Sequence, residues 1–209
     1  MIFDNENVLF KAANPQQAKV AATLIYDADP HLFAYWLGND YETALKFFEA
    51  EWKQERSLFS FSLCTAAVSG DTLLGIELGY DLKTQTELKP DTGFTGAGAI
   101  NPEVVPSLIE VASYFPYLLP PIPEDAYYIA HLSLLPEVRG RGLGTRLLVN
   151  AFDSAREQGY RQCQLDAVSD NRSVNLYRRM GMEVISEARV IQLETNGVPS
   201  HYRMVKQLG

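Results

Sequence analysis

Positive charge is scarce in this chain: 18 lysines and arginines stand against 26 acids, a formal net charge of −8 over 209 residues. Binding a nucleic-acid backbone depends on clustered Lys and Arg that neutralise phosphates, so the balance argues against a nucleic-acid partner. It is compatible with a cationic acceptor such as an amine, although an acidic balance is more often simply a route to solubility. Cysteine is scarcer still. Cys64 and Cys163 are the two, and both sit in apolar, strand-like stretches that read as buried reduced thiols rather than a disulfide framework. The three histidines, His31, His131 and His201, lie far apart without paired ligands, so no metal site is expected. No apolar run is long enough to span a bilayer, and the opening MIFDNENVLF carries early acids where a secretory leader has a basic stretch. A cytoplasmic location without a membrane partner is the default expectation. There is no internal repeat. At 46% hydrophobic and 21% charged, the chain can bury one substantial core, and a single domain over residues 1–209 is expected.

What is present concentrates in residues 132–145, LSLLPEVRGRGLGT. An apolar strand-like run turns at Pro136, crosses glycines at 140, 142 and 144 flanked by Arg139 and Arg141, and opens into a helical pattern. A helix start leaves unpaired N–H groups and a positive dipole end, while glycines allow close approach and unusual dihedrals, so the stretch reads as an anion site. It is neither the G-x-G-x-x-G dinucleotide fingerprint, since the third glycine comes one residue early, nor a G-x-x-x-x-G-K-[ST] phosphate loop. A tight strand-to-helix turn without ligand is the plain structural alternative.

The loop does match Arg/Gln-x-x-Gly-x-Gly/Ala, as Arg139, Gly142 and Gly144, and in this it resembles the GNAT superfamily of N-acetyltransferases. A second stretch, residues 171–182 (NRSVNLYRRMGM), is similar to that family's N-x-x-A-x-x-L-Y-x-x-x-G-F signature. It departs by Val174 for the small residue, by Leu-Tyr arriving one position early, and by Met182 for the aromatic. The resemblance covers residues 127–209 well and the first half in outline. It implies an α/β fold with a mixed, mostly antiparallel central sheet flanked by helices, and acetyl-coenzyme A as co-substrate. The amides of Arg139, Gly140, Arg141, Gly142, Leu143, Gly144 and Thr145 would hold its pyrophosphate. The backbone of Leu132, Ser133 and Leu134 would bond the pantetheine arm beside a bulge that splays the fourth and fifth strands, and Asn171 and Tyr177 would complete the site. A homodimer is the family's habit.

Along the chain, residues 7–11 read as a first strand. Asn14-Pro15-Gln16-Gln17 gives a capped helix start running to about Tyr26, before Asp29-Pro30. Residues 31–37 are aromatic without a clean period. A second helix starts near Asn39 or Asp40, with Glu42 placed for a capping box, and buries Ala44, Phe47, Phe48 and Trp52; by the resemblance these first helices wall the acceptor pocket. Residues 57–69 and 72–82 read as a hairpin across Gly70-Asp71. An insertion at about 83–125, with a helical stretch at 107–119, separates the third and fourth strands and reads as a lid or extra pocket wall, or as a dimer contact. In the fourth strand, alternation places Tyr128, Ala130, Leu132 and Leu134 on one face and His131 and Ser133 on the other. A helix from about Gly142 ends at Gly159, residues 162–168 form the fifth strand, Asp170 or Asn171 caps a short helix carrying Tyr177, and 183–193 with 201–206 form a last hairpin.

Acetyl transfer to an amine needs a neutral amine, a polarised carbonyl and a protonated leaving thiol. The resemblance assigns polarisation to a backbone N–H near Leu134 and the last task to Tyr177, whose phenol, ordinarily near pKa 10, can give a proton to a thiolate with a pKa of about 8.5. Glu77, His131, Tyr128 or a water chain are the candidates for the base, although a carboxylate in a half-buried strand is more often solvent-facing and a lone His in an apolar strand more often core. A small-molecule primary amine is the expected acceptor, with a protein N-terminus or lysine second. The competing classes are a module that binds acetyl-coenzyme A without transfer and a nucleotide-phosphate binder using the same loop.

Overall fold

The computed structural model describes residues 7–209; residues 1–6, which carry the early acids used to read the N-terminus, lie outside that range. β1 (Leu9–Ala12) leads through a 3-10 turn at Pro15–Gln17 into α1 (Ala18–Ala28). The turn carries the reciprocal cap expected of it: Asn14 Oδ1 accepts from the Gln16 amide at 3.1 Å, and Gln17 Oε1 accepts from the Asn14 amide at 3.0 Å. Asp29 then ends α1 and starts α2 (Pro30–Trp36), accepting from the Leu32 amide at 3.2 Å. That cap, with Pro30 at the first helical position, makes a helix of the stretch whose pattern shows no period. α3 (Tyr41–Trp52) starts at Asp40, whose carboxylate accepts from the Glu42 and Thr43 amides. The capping box expected of Glu42 does not form, because Glu42 is the second helical residue and Thr43 holds the third position.

β2 (Cys64–Ser69) is shorter than the 57–69 stretch suggests. Ser57 is drawn to Glu51, at 2.6 Å, and Ser60 caps a 3-10 turn at Phe61–Leu63, so the residues ahead of Cys64 fold as turns. After β3 (Thr72–Tyr80) come α4 (Leu82–Leu88), α5 (Phe94–Gly98), α6 (Val105–Ala112) and α7 (Phe115–Leu118), which make the insertion. The single helical stretch expected at 107–119 is broken at Ser113-Tyr114, and Pro116 lies in the first turn of the new helix, where its missing N–H costs nothing. The insertion is fastened to α2 and α3. The Glu51 carboxylate accepts from the amides of Gly93 and Gly96 at 3.0 and 2.7 Å, and the Trp36 indole donates to the Leu108 carbonyl at 2.9 Å.

The second half runs β4 (Ala126–Leu134), α8 (Leu143–Glu157), β5 (Gln162–Val168), α9 (Ser173–Arg179), β6 (Glu183–Ala188), α10 (Ile191–Glu194) and β7 (His201–Gln207). The sixth strand stops at Ala188 rather than Leu193, because Leu193 and Glu194 bond back to the Val190 carbonyl and Leu193 is fully buried. All seven strands form one sheet in the order β1-β2-β3-β4-β5-β7-β6, with β4–β5 the parallel pair and the other neighbours antiparallel. A cluster built on α1, α2 and α3 with Ile76 and Leu78 covers one face, and α8 and α9 cover Ile129, Leu165 and Met204 on the other. Cys64 and Cys163 are free and buried. Among the described residues no helix is long and apolar enough to cross a membrane.

One irregularity positions the site. β3 and β4 pair as Leu78↔His131 and then Gly79↔Ile129, so Ala130 is an extra residue in β4. An inserted residue shifts the two-residue period by one. The alternation read from the sequence therefore fails here: Leu132 and Leu134 share the α8 face with Tyr127 and Ile129, while Tyr128 and Ala130 fall on the α1–α3 side with His131.

Candidate active site

Beyond the bulge the sheet opens. The β4–β5 ladder runs from Ala126↔Gln162 to Ile129↔Leu165 and stops, whereas β4 stays paired with β3 as far as Gly75↔Leu134 and β5 with β7 as far as Val168↔His201. The Leu135 amide donates to the Leu74 carbonyl at 2.8 Å, which sets the phase of the β3–β4 ladder. Alternate pairs in such a ladder exchange both backbone bonds, so His131 and Ser133 spend theirs on β3 and Leu132 and Leu134 present N–H and C=O to the open edge. Ser133 is thus corrected: its amide and carbonyl face Ile76, not the gap. The cleft between the parted strands is walled by Ala28 of α1, Ala130 and Leu132 of β4, Asp166 of β5, and Asn171 and Tyr177.

The glycine loop stands at one end of the β4 edge. Gly140 and Gly142 have φ of 74° and 83°, and a Cβ built on either would meet nothing within 4 Å, so the loop surface beside them is open. Gly142 is the N-cap of α8 and supplies no side-chain cap, which leaves the first-turn amides of Leu143, Gly144 and Thr145 outside the helix's own bonding. The Leu143 side chain, fully buried with Val138 and Leu147, anchors the turn. Arg141 is exposed. Arg139 is committed elsewhere: its Nε donates to the Leu134 carbonyl at 2.8 Å and its Nη2 to Asp27 at 3.0 Å. Its guanidinium therefore ties the loop to β4 and α1.

Asn171 Oδ1 accepts from the Ser173 amide at 2.8 Å, starting the short helix that holds Tyr177. The Tyr177 ring is 7% exposed, packed with Val174 against the α8 cluster. Burial pushes its phenol up to about 12, against a pull downward from the Ser173 side chain, so it keeps its proton at any working pH.

Glu77 and His131, the base candidates from sequence, are not brought to the cleft wall. Glu77 is 2% exposed and lies under α8, where the Tyr127 hydroxyl donates to its Oε1 at 2.9 Å. Gly79 makes room for that phenol; a Cβ there would fall 2.3 Å from the Tyr127 oxygen. Burial lifts the carboxyl to about 7, against hydrogen bonds from Tyr127 and Thr65. His131 is on the opposite face, stacked on Phe59 with ring centroids 5.6 Å apart and beside Phe33. Burial lowers its imidazole to about 4, with partial compensation from Asp29. Tyr128 donates its hydroxyl to Asp166 at 2.9 Å and is buried.

Sequence reading missed Asp166 and Arg203. Their side chains are 2% and 3% exposed and paired at 2.6 Å, with Arg203 also donating to Asp166 Oδ1 at 2.8 Å, to Gln164 at 2.9 Å and to the Pro120 carbonyl at 2.5 Å. This brace joins β5, β7 and the end of the insertion beside the cleft. Each residue alone reads as an outward charge in an alternating strand; their register, Asp166↔Arg203, is what joins them.

This architecture is that of a known class of enzyme. A model of the acetyltransferase (GNAT) family matches residues 34–182, and the chain belongs to that family. Its members are acyltransferases whose common chemistry is acetyl transfer from acetyl-coenzyme A. An uncharacterized N-acetyltransferase of Escherichia coli K12, YjgM, is 31% identical over 85 residues, 40% of this chain and 49% of that protein, so the match spans about half the length of that relative. An N-acetyltransferase from Staphylococcus aureus Mu50 superposes with a TM-score of 0.74 at 14% identity, over 95% of this chain and all (100%) of that one. The ribosomal-protein-S18-alanine N-acetyltransferase of Escherichia coli does so with 0.54 at 12% identity, over 97% and 94%. At such identities the likeness is one of fold.

Proposed function

We propose that this protein transfers the acetyl group of acetyl-coenzyme A to a primary amine on a small molecule, by direct attack in a ternary complex. The observation that carries the reading is the cleft: a strand edge at Leu132 and Leu134 without a ladder partner in β5, beside Tyr177, with the open glycine loop and the uncapped start of α8 at one end. The fit to a phosphorylated thioester rests on that loop, where two glycines at positive φ leave backbone amides accessible and no Cβ intrudes. Acetyl-coenzyme A, when bound, supplies an activated acyl group.

This chain's residues do the rest. The first-turn amides of α8 hold the anionic end, and the Leu132 backbone aligns the arm as an added strand would. The Leu134 N–H is the donor aimed at developing negative charge. Tyr177 holds a proton for the departing thiolate. The ionisable groups on the cleft wall are Tyr177 and Asp166, and Asp166 is occupied by Arg203 and Tyr128. That favours an amine that arrives neutral or loses its proton to water, in place of Glu77 or His131. The anchoring of the insertion beside Asp166 supports a small acceptor over a protein chain.

Calorimetry with acetyl-coenzyme A on wild type, Gly142→Asp and Gly142→Asn tests the reading. The two variants share the backbone strain at φ 83° and differ in charge. Binding by wild type, kept by Asn and lost with Asp, is the expected pattern; no binding by wild type sinks the proposal. Release of free thiol with a panel of primary amines then separates a transferase from a module that only binds.

A further inference from the structure

The junction of α1 and α2, residues 27–29, gives Ala28 to the cleft wall. It is held from two distant parts of the chain. From β7, the His201 ring, 2% exposed, sets Nε2 at 2.7 Å from Asp29 Oδ2 and Nδ1 at 3.1 Å from the Pro199 carbonyl. A carbonyl only accepts, so Nδ1 carries hydrogen; a ring that also donates to a carboxylate from Nε2 is the imidazolium. The other oxygen of Asp29 caps α2 at Leu32, so the carboxylate is held at both ends. From the glycine loop, Arg139 grips Asp27 at 3.0 Å while its Nε holds the Leu134 carbonyl. One guanidinium thus spans the strand edge and the facing wall.

Resting on the transferase reading above, we propose that Asp29 with His201, and Asp27 with Arg139, are positioning residues that set the wall carrying Ala28 against the Leu134 edge and so fix where the amine enters. Neither Asp27 nor Asp29 lines the cleft itself. A solvent-exposed pair such as Asp27–Arg139 contributes little by itself; the buried pair from His201 is the stronger hold. The proposal accounts for a buried charged pair at a place where packing alone would close a helix turn.

The test is steady-state kinetics and calorimetry on the full chain, with acetyl-coenzyme A and, as probes, spermidine, benzylamine and a tripeptide with a free N-terminus. The variants are Asp29→Asn, which keeps an oxygen to cap α2 but loses the charge, His201→Leu, and His201→Gln, which can still donate to Asp29. Expected are a rise of about tenfold in the amine KM for Asp29→Asn and His201→Leu, the weight of one charge-assisted hydrogen bond, acetyl-coenzyme A affinity within about twofold, and recovery in His201→Gln. If His201→Leu does not fold, Asp29→Asn carries the comparison. An unchanged amine KM in a folded variant, or a parallel loss of acetyl-coenzyme A affinity, overturns the positioning role and leaves the transferase reading standing. Wild type that binds acetyl-coenzyme A but releases no thiol with any probe overturns the transferase reading, and this inference with it.

Discussion

The Tyr127 hydroxyl donates to the buried Glu77 across the β3–β4 pair, on the face of the sheet that α8 covers. The Glu77 carboxyl, raised by burial to about 7, binds a proton in the folded chain at pH values where the unfolded chain has lost it. Its folded pKa exceeds the ordinary value of about 4.3, so the protein loses stability as pH rises between these two values and loses no more above them. In Glu77→Gln this loss is absent. The stability difference between wild type and variant is expected to shift by about 3 kcal/mol between pH 4 and pH 8. Urea unfolding at both pH values measures it, and parallel pH dependence in the two proteins would refute the assignment.

Tyr177→Phe keeps the ring packed in the cluster of Val174 and Phe152 and removes the proton that the proposed mechanism gives to the leaving thiolate. A fall of about a hundredfold in kcat, with acetyl-coenzyme A affinity unchanged, is expected for loss of a general acid. With the phenol at about 12, no decline in wild-type rate below pH 10 should trace to its ionisation. Undiminished turnover in the variant would remove Tyr177 from the mechanism.

Gly96 is where the insertion meets α3: a Cβ there would lie 2.5 Å from the Phe47 ring. Gly96→Ala is expected to destabilise by about 1–3 kcal/mol through overpacking, read as a lowered Tm. Gly98, two residues on, has nothing within 4 Å of its built Cβ, and Gly98→Ala should leave Tm level or higher. Equal effects would contradict the close fit of α5 on α3.

The Asp166–Arg203 brace makes a prediction of opposite character. Arg203→Met leaves the buried Asp166 carboxylate without its cation and is expected to cost about 3–5 kcal/mol. The double variant Asp166→Asn/Arg203→Met removes both charges and should be markedly more stable than Arg203→Met alone. Chemical denaturation of wild type, Asp166→Asn, Arg203→Met and the double variant completes the cycle, and additive effects would mean that the pair does not act as a unit.

Elements whose signals are local were legible in advance. The Asn14-Pro15-Gln17 start, the run of Leu143, Leu147, Leu148, Ala151, Phe152 and Ala155 on one face of α8, and the glycines at 140 and 142 each follow from a cap, a period or a dihedral requirement. Errors fell where a neighbour in space overrode the local preference. Ser57 was taken from its expected strand by Glu51, and Leu193 was drawn into a helical turn by its burial. Glu77 read as an outward carboxylate or a base because an alternation pattern carries no record of the phenol opposite it. Ala130 is one residue among nine in β4, with nothing in its type to mark it as the bulge.

By itself the sequence determined the order of strands and helices around the glycine loop, the family, and the residues of the two motifs, because dihedral freedom and helix-end chemistry belong to short stretches of chain. The tertiary structure decided which edge of β4 is open, since that depends on where β5 stops pairing. It also decided which charges are already occupied. Asp27, Asp29 and Asp166 meet Arg139, His201 and Arg203 across separations of 112, 172 and 37 residues, and only folding brings such pairs within the few ångströms over which a carboxylate is held.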